Sequence, residues 1–275
     1  MIAAINYIPI YLRDWKFKMV SLISIATNFV IFALIAISDG DARSLARILE
    51  GTDAEPEKFP YMVSLRRWNN HVCGGAIISP RHILTAAHCF IGRADPPYTE
   101  GLVIVSGAAV NRYNGEIHQV KKVTPHSDYR KGTENRWRND IAVVELKNDI
   151  TENRYQKPIA LPKTDTPGNV TAVLSGWGQT TLRGEESDRL KQRIVRILPN
   201  DECNKKDADI LDTNLCGFDG RGTGFCEGDS GSPLIHNDEI VGIVSFSILC
   251  GIGYPDSYTR VYKYLDFINS TMTGS

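Results

Sequence analysis

Three short stretches of this chain carry residue types that can do nucleophilic chemistry together. Leu84-Thr85-Ala86-Ala87-His88-Cys89 sets a histidine at the end of an apolar run. Asn139-Asp140-Ile141-Ala142-Val143-Val144 opens another run with a carboxylate, and Gly228-Asp229-Ser230-Gly231-Ser232-Pro233 frames a serine with glycines. A serine hydroxyl is a weak nucleophile at neutral pH and needs a general base within hydrogen-bond reach. Imidazole suits that task because its ordinary pKa lies near neutrality. A buried carboxylate behind it would fix the tautomer and stabilise the imidazolium as it forms. Singly, each stretch has a plainer reading: a packed histidine, a turn or capping aspartate, a glycine-rich bend. Together, in the order His–Asp–Ser and beside cysteines, they make one expectation, with His88 as base, Asp140 as its orienting acid and Ser230 as nucleophile. His71, His82, His118, His126 and His236 have no such context and receive no role.

The cysteines say where such chemistry would operate. Cys73, Cys89, Cys203, Cys216, Cys226 and Cys250 form an even set, all beyond residue 72. No Cys-x-x-Cys pair occurs, so no metal site is expected. Upstream, Arg13, Lys16 and Lys18 precede an apolar run from Met19 to Ile37, followed by Ser38 and the acidic Asp39-Gly40-Asp41. Basic flank, apolar stretch and small residues read as a secretory signal ending at Ser38, with Met19 as an alternative start. The rival reading is a retained membrane anchor, because the run is near the minimum for a span. The cysteine pattern favours secretion, and with it disulfides in an oxidising compartment. Six cysteines allow about 15 pairings, and spacing alone does not choose among them.

The elements that must position these residues are short. Tyr61–Leu65, Gly75–Ile78, Leu102–Ser106, Ile141–Leu146, Val170–Ser175, Ile194–Ile197, Pro233–Ile235 and Glu239–Ser245 are apolar or alternating runs separated by Gly, Pro, Asn and Asp. That pattern predicts strands of an all-β sandwich or barrel. Helical periodicity is convincing only near the end, where Val261, Leu265 and Ile268 can share one face. Residues 151–168 read as a connector between two β halves. The 42% hydrophobic and 23% charged content is that of a folded protein. The formal net charge of −1 gives no reason to expect nucleic acid as a partner.

Thr85-Ala86-Ala87-His88-Cys89, Asn139-Asp140-Ile141-Ala142, Ser175-Gly176-Trp177-Gly178 and Gly228-Asp229-Ser230-Gly231 together resemble the chymotrypsin–trypsin family of serine proteases, from Ile48 to about Asn269. The resemblance implies two six-stranded antiparallel β-barrels, about 48–160 and 161–275, with the site between them and a short C-terminal helix. It implies the pairings Cys73–Cys89, Cys203–Cys216 and Cys226–Cys250. The N–H groups of Gly228 and Ser230 would form the oxyanion hole, and Ser245 would hydrogen-bond the triad carboxylate. It also implies a zymogen: residues 39–47 form a propeptide, cleavage after Arg47 frees the α-amino group of Ile48, and that group inserts beside Asp229. Glu50 departs from the glycine usual at its position.

The same resemblance assigns the substrate pocket. Gly224 stands where trypsins carry a floor aspartate, Phe225 replaces a small polar residue, and Asp256 stands where a glycine is usual. Phe246 and Ser247 replace a tryptophan at the pocket entrance and a glycine beside the substrate backbone, and Trp137 borders the adjoining subsite. The pattern is similar to that of certain arthropod chymotrypsins and collagenolytic proteases. It implies cleavage after Phe, Tyr or Leu, with Asp256 either facing the pocket and admitting basic residues as a second activity, or bonding only to pocket backbone. The expected partners are protein and peptide substrates, an activating trypsin-like protease and protein inhibitors. No cofactor, no nucleic acid and no stable membrane association are expected of this secreted monomer. The alternative is a catalytically silent homologue serving as a binding module. Asn169-Val170-Thr171 and Asn269-Ser270-Thr271 fit the N-glycosylation acceptor pattern.

Overall fold

The computed structural model describes residues 51–274, apart from 109–114, 182 and 207. The expectations placed on the signal segment, the propeptide and the Arg47–Ile48 junction lie outside the described residues.

Thirteen strands occur among the described residues. Six of them, β2 (Met62–Arg67), β3 (Asn70–Ser79), β4 (His82–Thr85), β5 (Leu102–Ser106), β6 (Glu116–Pro125) and β7 (Ala142–Leu146), close into an antiparallel barrel in the order β2-β3-β4-β7-β6-β5. The second sheet is built from β8 (Val170–Gly176), β9 (Lys191–Leu198), β10 (Asn214–Gly217), β11 (Pro233–His236), β12 (Glu239–Phe246) and β13 (Asp256–Arg260). Its order is β9-β10-β13-β12-β11-β8, and pairing of β8 with β9 closes the ring. The two-barrel, all-β expectation is thus met. A five-residue helix, α1 (Asn200–Asn204), and a nine-residue C-terminal helix, α2 (Leu265–Thr273), complete the fold.

Local sequence explains the closures. Trp68-Asn69 and Asn237-Asp238 are two-residue turns with φ between 49° and 67°. Such mirror-image turns match the twist of the strands they join, and Asn and Asp tolerate them best. Gly101, opposite the first turn at φ 64°, leaves room for the Trp68 ring where a side chain would collide with it. Val63, Leu65, Ile77, Ile83, Ile104, Val144 and Leu146 project into the first barrel and are almost wholly buried. Leu174, Val195, Ile197, Leu215, Leu234, Val244 and Tyr258 fill the second.

Both ends of the described chain cross over. The two-residue strand β1 (Thr52–Asp53) pairs with β9 of the second barrel, Thr52 opposite Gln192. At the other end, Val261, Tyr264 and Ile268 join the hydrophobic cluster that holds the first barrel's core. The three disulfides are Cys73–Cys89, Cys203–Cys216 and Cys226–Cys250, with Cα atoms 6.2, 6.5 and 5.1 Å apart. Bridges of this kind contribute about 2–5 kcal/mol each in small secreted domains.

Candidate active site

His88 lies in a 3-10 turn, residues Ala87–Cys89, directly after β4, and Cys89 ties that turn to Cys73 on β3. Asp140 precedes β7, the neighbour of β4 in the barrel. Asn139 before it has φ 57° and is held from two directions. Its amide donates to Asp128 O at 2.8 Å, and Tyr264 Oη donates to its Oδ1 at 3.0 Å. The Asp140 side chain is thereby aimed at His88.

Asp140 is 1% exposed and accepts three hydrogen bonds, so its buried charge is well satisfied. His88 N donates to Oδ1 at 2.9 Å, His88 Nδ1 donates to Oδ2 at 2.7 Å, and Ser245 Oγ donates to Oδ2 at 2.6 Å. A carboxylate only accepts, so Nδ1 carries the proton and neutral His88 keeps Nε2 as a proton acceptor. Ser245 reaches Asp140 because β12 bulges there: Val244 pairs with Tyr258 and Phe246 with Ser257, leaving Ser245 as the extra residue. Bulges commonly re-aim one side chain beside a reactive centre. Thr259 Oγ1 on β13 adds a bond to Asp140 O at 2.7 Å.

Ser230 and His88 line one cleft of about 390 Å³. Around Ser230 the backbone amides divide into two kinds. Asp229 N donates to Cys226 O and Gly231 N to Val244 O, both at 3.0 Å. Among the described residues the Gly228 and Ser230 N–H groups have no internal acceptor, as an oxyanion site requires. Gly228 has φ 93°, and a Cβ there would sit 2.9 Å from the Gly178 Cα, so only glycine fits.

His71, to which the sequence reading gave no role, holds this loop from below. Its Nε2 donates to Gly228 O at 2.9 Å, which makes Nδ1 the acceptor of the Ser64 Oγ proton at 2.8 Å. Burial lowers its pKa to about 4, so the ring stays neutral. The adjacent Asp229 is fully buried. Gly178 N donates to its Oδ1 at 2.7 Å and Cys226 N to its Oδ2 at 3.1 Å. Burial outweighs these two bonds and pushes the carboxyl up to about 7.

The expected pocket residues separate into two groups. Phe225, Ser245, Phe246 and Ser247 line the catalytic cleft, with Trp137, whose ring stands edge-on to His88 at 6.0 Å and stacks on Phe246 at 6.3 Å. Gly224 and Asp256 do not. They line a separate cavity of about 10 Å³ with Arg193, Asp219 and Tyr254. Phe225 N donates to Asp256 Oδ2 at 3.1 Å, and the Phe225 ring packs edge-on against Tyr258 at 5.4 Å. Burial holds the Asp256 carboxyl well above the usual carboxylate range. The Cys73 and Cys89 sulfurs lie close to His88, but the disulfide leaves them no thiolate to offer a metal.

Known proteins agree with this architecture. The trypsin family model matches residues 48–268. Chymotrypsin-2 of Vespa crabro is 35% identical over 222 residues, covering 80% of this chain and 98% of that protein. Serine protease SP24D of Anopheles gambiae is 35% identical over 82% of each chain. Trypsin 5G1 of Aedes aegypti is 34% identical, over 82% of this chain and 85% of its own. Among solved structures, neuropsin, a serine protease of mouse brain, superposes with a TM-score of 0.73 at 26% identity, covering 81% of this chain and 99% of its own. This chain belongs to the trypsin family and is a serine endopeptidase acting on protein substrates.

Proposed function

We propose that His88, Asp140 and Ser230 carry out peptide-bond hydrolysis through an acyl-enzyme. Ser230 Oγ attacks the scissile carbonyl carbon while His88 Nε2 takes its proton. Asp140 holds the resulting imidazolium, and the Gly228 and Ser230 N–H groups receive the developing oxyanion. His88 returns the proton to the departing amine, and water repeats the sequence to release the acid. The observation that carries this reading is the 2.7 Å bond from His88 Nδ1 to Asp140 Oδ2, which leaves Nε2 as acceptor in the cleft that Ser230 shares. Ser230→Ala tests it: kcat falls by roughly 10⁴–10⁶ and labelling by serine-directed reagents is lost. Undiminished turnover would remove Ser230 from the mechanism, and failure of the wild type to label would leave a silent binding module.

The preferred residue before the scissile bond is apolar: Phe, Tyr or Leu. Phe225 supports this, since it lines the cleft while Asp256 lies with Gly224 in the other cavity. That arrangement gives no support to a second, basic specificity. The enzyme is made as a secreted zymogen, with residues 1–38 as signal and 39–47 as propeptide. A trypsin-like protease cuts after Arg47, and the Ile48 ammonium pairs with Asp229. Supporting the activation step is the buried Asp229 carboxyl, which takes only backbone N–H bonds among the described residues. No described helix is long and apolar enough to cross a membrane. The working form is a monomer, open to protein inhibitors that occupy the cleft. N-terminal sequencing of exported and activated material tests both cleavage sites.

A further inference from the structure

The catalytic cleft has two chemically different rims. Trp137, Phe246, Ile248 and Leu249 make one of them apolar, and Ile248 and Leu249 are 47% and 54% exposed. The other is cationic. Arg93, on the loop after the His88 turn, and Arg183, on the loop between β8 and β9, both line the cleft and are exposed. Neither guanidinium has an ion-pair partner among the described residues, whereas others such as Arg81, Arg136 and Arg260 do. Lys131 adds charge behind Arg93, its Nζ lying near Gly92. Among the described residues Glu227 is the one carboxylate lining the cleft, and its Oε2 accepts from the Gln179 amide at 2.9 Å.

Phe246, Ile248 and Leu249 of the apolar rim lie at and just beyond the end of β12, and Phe225, proposed above to favour an apolar residue before the scissile bond, lines the same cleft. Arg93 and Arg183 come from two other loops that line the cleft, one in each barrel. We propose that Arg93 and Arg183 select peptides with acidic residues on the leaving-group side of the scissile bond, within the first three positions. Unpaired guanidiniums at a cleft rim attract carboxylates through Coulomb interaction and bidentate hydrogen bonding. The attraction is additional to the apolar preference at the residue before the bond and rests on the cleft being the peptide-binding cleft.

The test uses paired internally quenched peptides with one fixed acyl half, differing only as Asp or Glu against Asn or Gln after the scissile bond. The ratio of kcat/KM for acid over amide is compared in the activated wild type, Arg93→Gln, Arg183→Gln and the double variant. Exposed ion pairs are each worth a few tenths to about 1 kcal/mol, so the ratio should exceed one and fall about two- to five-fold per arginine removed. Raising salt from about 50 mM to about 500 mM should compress it in the wild type and leave the double variant unmoved. Affinities of activated Ser230→Ala protein, which leaves the same peptides intact, give the ratio without turnover, so an error in the catalytic assignment shows up separately. A ratio of one in the wild type, or one that survives loss of both arginines, overturns the proposal.

Discussion

Ser245 and Asp140 belong to different barrels, yet the Ser245 hydroxyl ends on Asp140 Oδ2 at 2.6 Å, the oxygen that also receives the His88 Nδ1 proton. The acid is therefore held from both sides of the cleft. The bulge in β12 supplies that contact, and β13 supplies a second through Thr259.

Removing the hydroxyl tests how much this grip contributes. Hydrogen bonds to charged groups are worth about 1.5–3 kcal/mol, so Ser245→Ala should lower kcat by at least about tenfold. The loss should fall on kcat more than on KM, because the contact serves the imidazolium that forms during reaction. An unchanged kcat would show that His88 alone keeps Asp140 in place.

Phe225 lines the cleft and its backbone N–H bonds to Asp256, which lines the other cavity; Phe225→Ser should open the one to the other. The variant is expected to gain cleavage after Lys and Arg by at least about tenfold relative to cleavage after Phe, at a stability cost of about 3–5 kcal/mol for the lost aromatic packing. Adding Asp256→Asn should remove the gain and leave cleavage after Leu. If the single variant gains nothing toward basic residues, the Asp256 carboxyl is committed to the Phe225 N–H and is no pocket group at all.

Asp229 makes a pH prediction for the uncleaved chain. Its folded carboxyl, pushed up to about 7, keeps a proton that the unfolded chain has already released above about pH 4. The folded state binds more protons across that interval, so its stability is greatest below pH 4 and declines as pH rises to about 7. The decline from this group is on the order of 4 kcal/mol at most. Thermal melts of uncleaved protein from pH 4 to 7.5, compared with Asp229→Asn, should differ by that slope. Identical pH profiles would mean the carboxyl is already matched by a cation.

Arg47→Gln is expected to be exported but to stay inactive under a trypsin treatment that activates the wild type. Activity in a chain still beginning upstream of Ile48 would show that Asp229 needs no ammonium to order the site.

Much of this molecule was legible from residue order. Runs such as Leu102–Ser106 and Val170–Ser175 announce strands because their apolar residues crowd or alternate. β6, Glu116–Pro125, was not, because it buries only His118, Val120 and Val123 while Ile117 faces solvent, with a bulge interrupting the alternation. β13, Asp256–Arg260, hides for another reason: its buried residues include an aspartate, a serine and a threonine, of which Asp256 bonds to Phe225 N and Thr259 to Asp140 O. His88, Asp140 and Ser230 stood out as motifs, and the structure brings them to one cleft. His71 gave no signal because its partners, Ser64 and Gly228 O, are recognisable only once the barrels meet. The separation of Asp256 from the cleft that Phe225 lines depends on which way two neighbouring side chains turn, which no spacing encodes.

The crossing of the two chain ends makes the barrels a mutual clasp. A cleft lined from both halves would widen if they could swing apart as hinged lobes, but Thr52 is fastened to Gln192 at one margin and α2 is seated on the first barrel at the other. Neither half owns all the pieces it needs, so neither is a module that evolution or an experimenter could transplant alone. Contacts between such distant parts of the chain also delay assembly, since the last residues made must return to the first barrel before its core is sealed. The ordered relation of His88 to Ser230 is then a property of the finished chain and of no fragment of it.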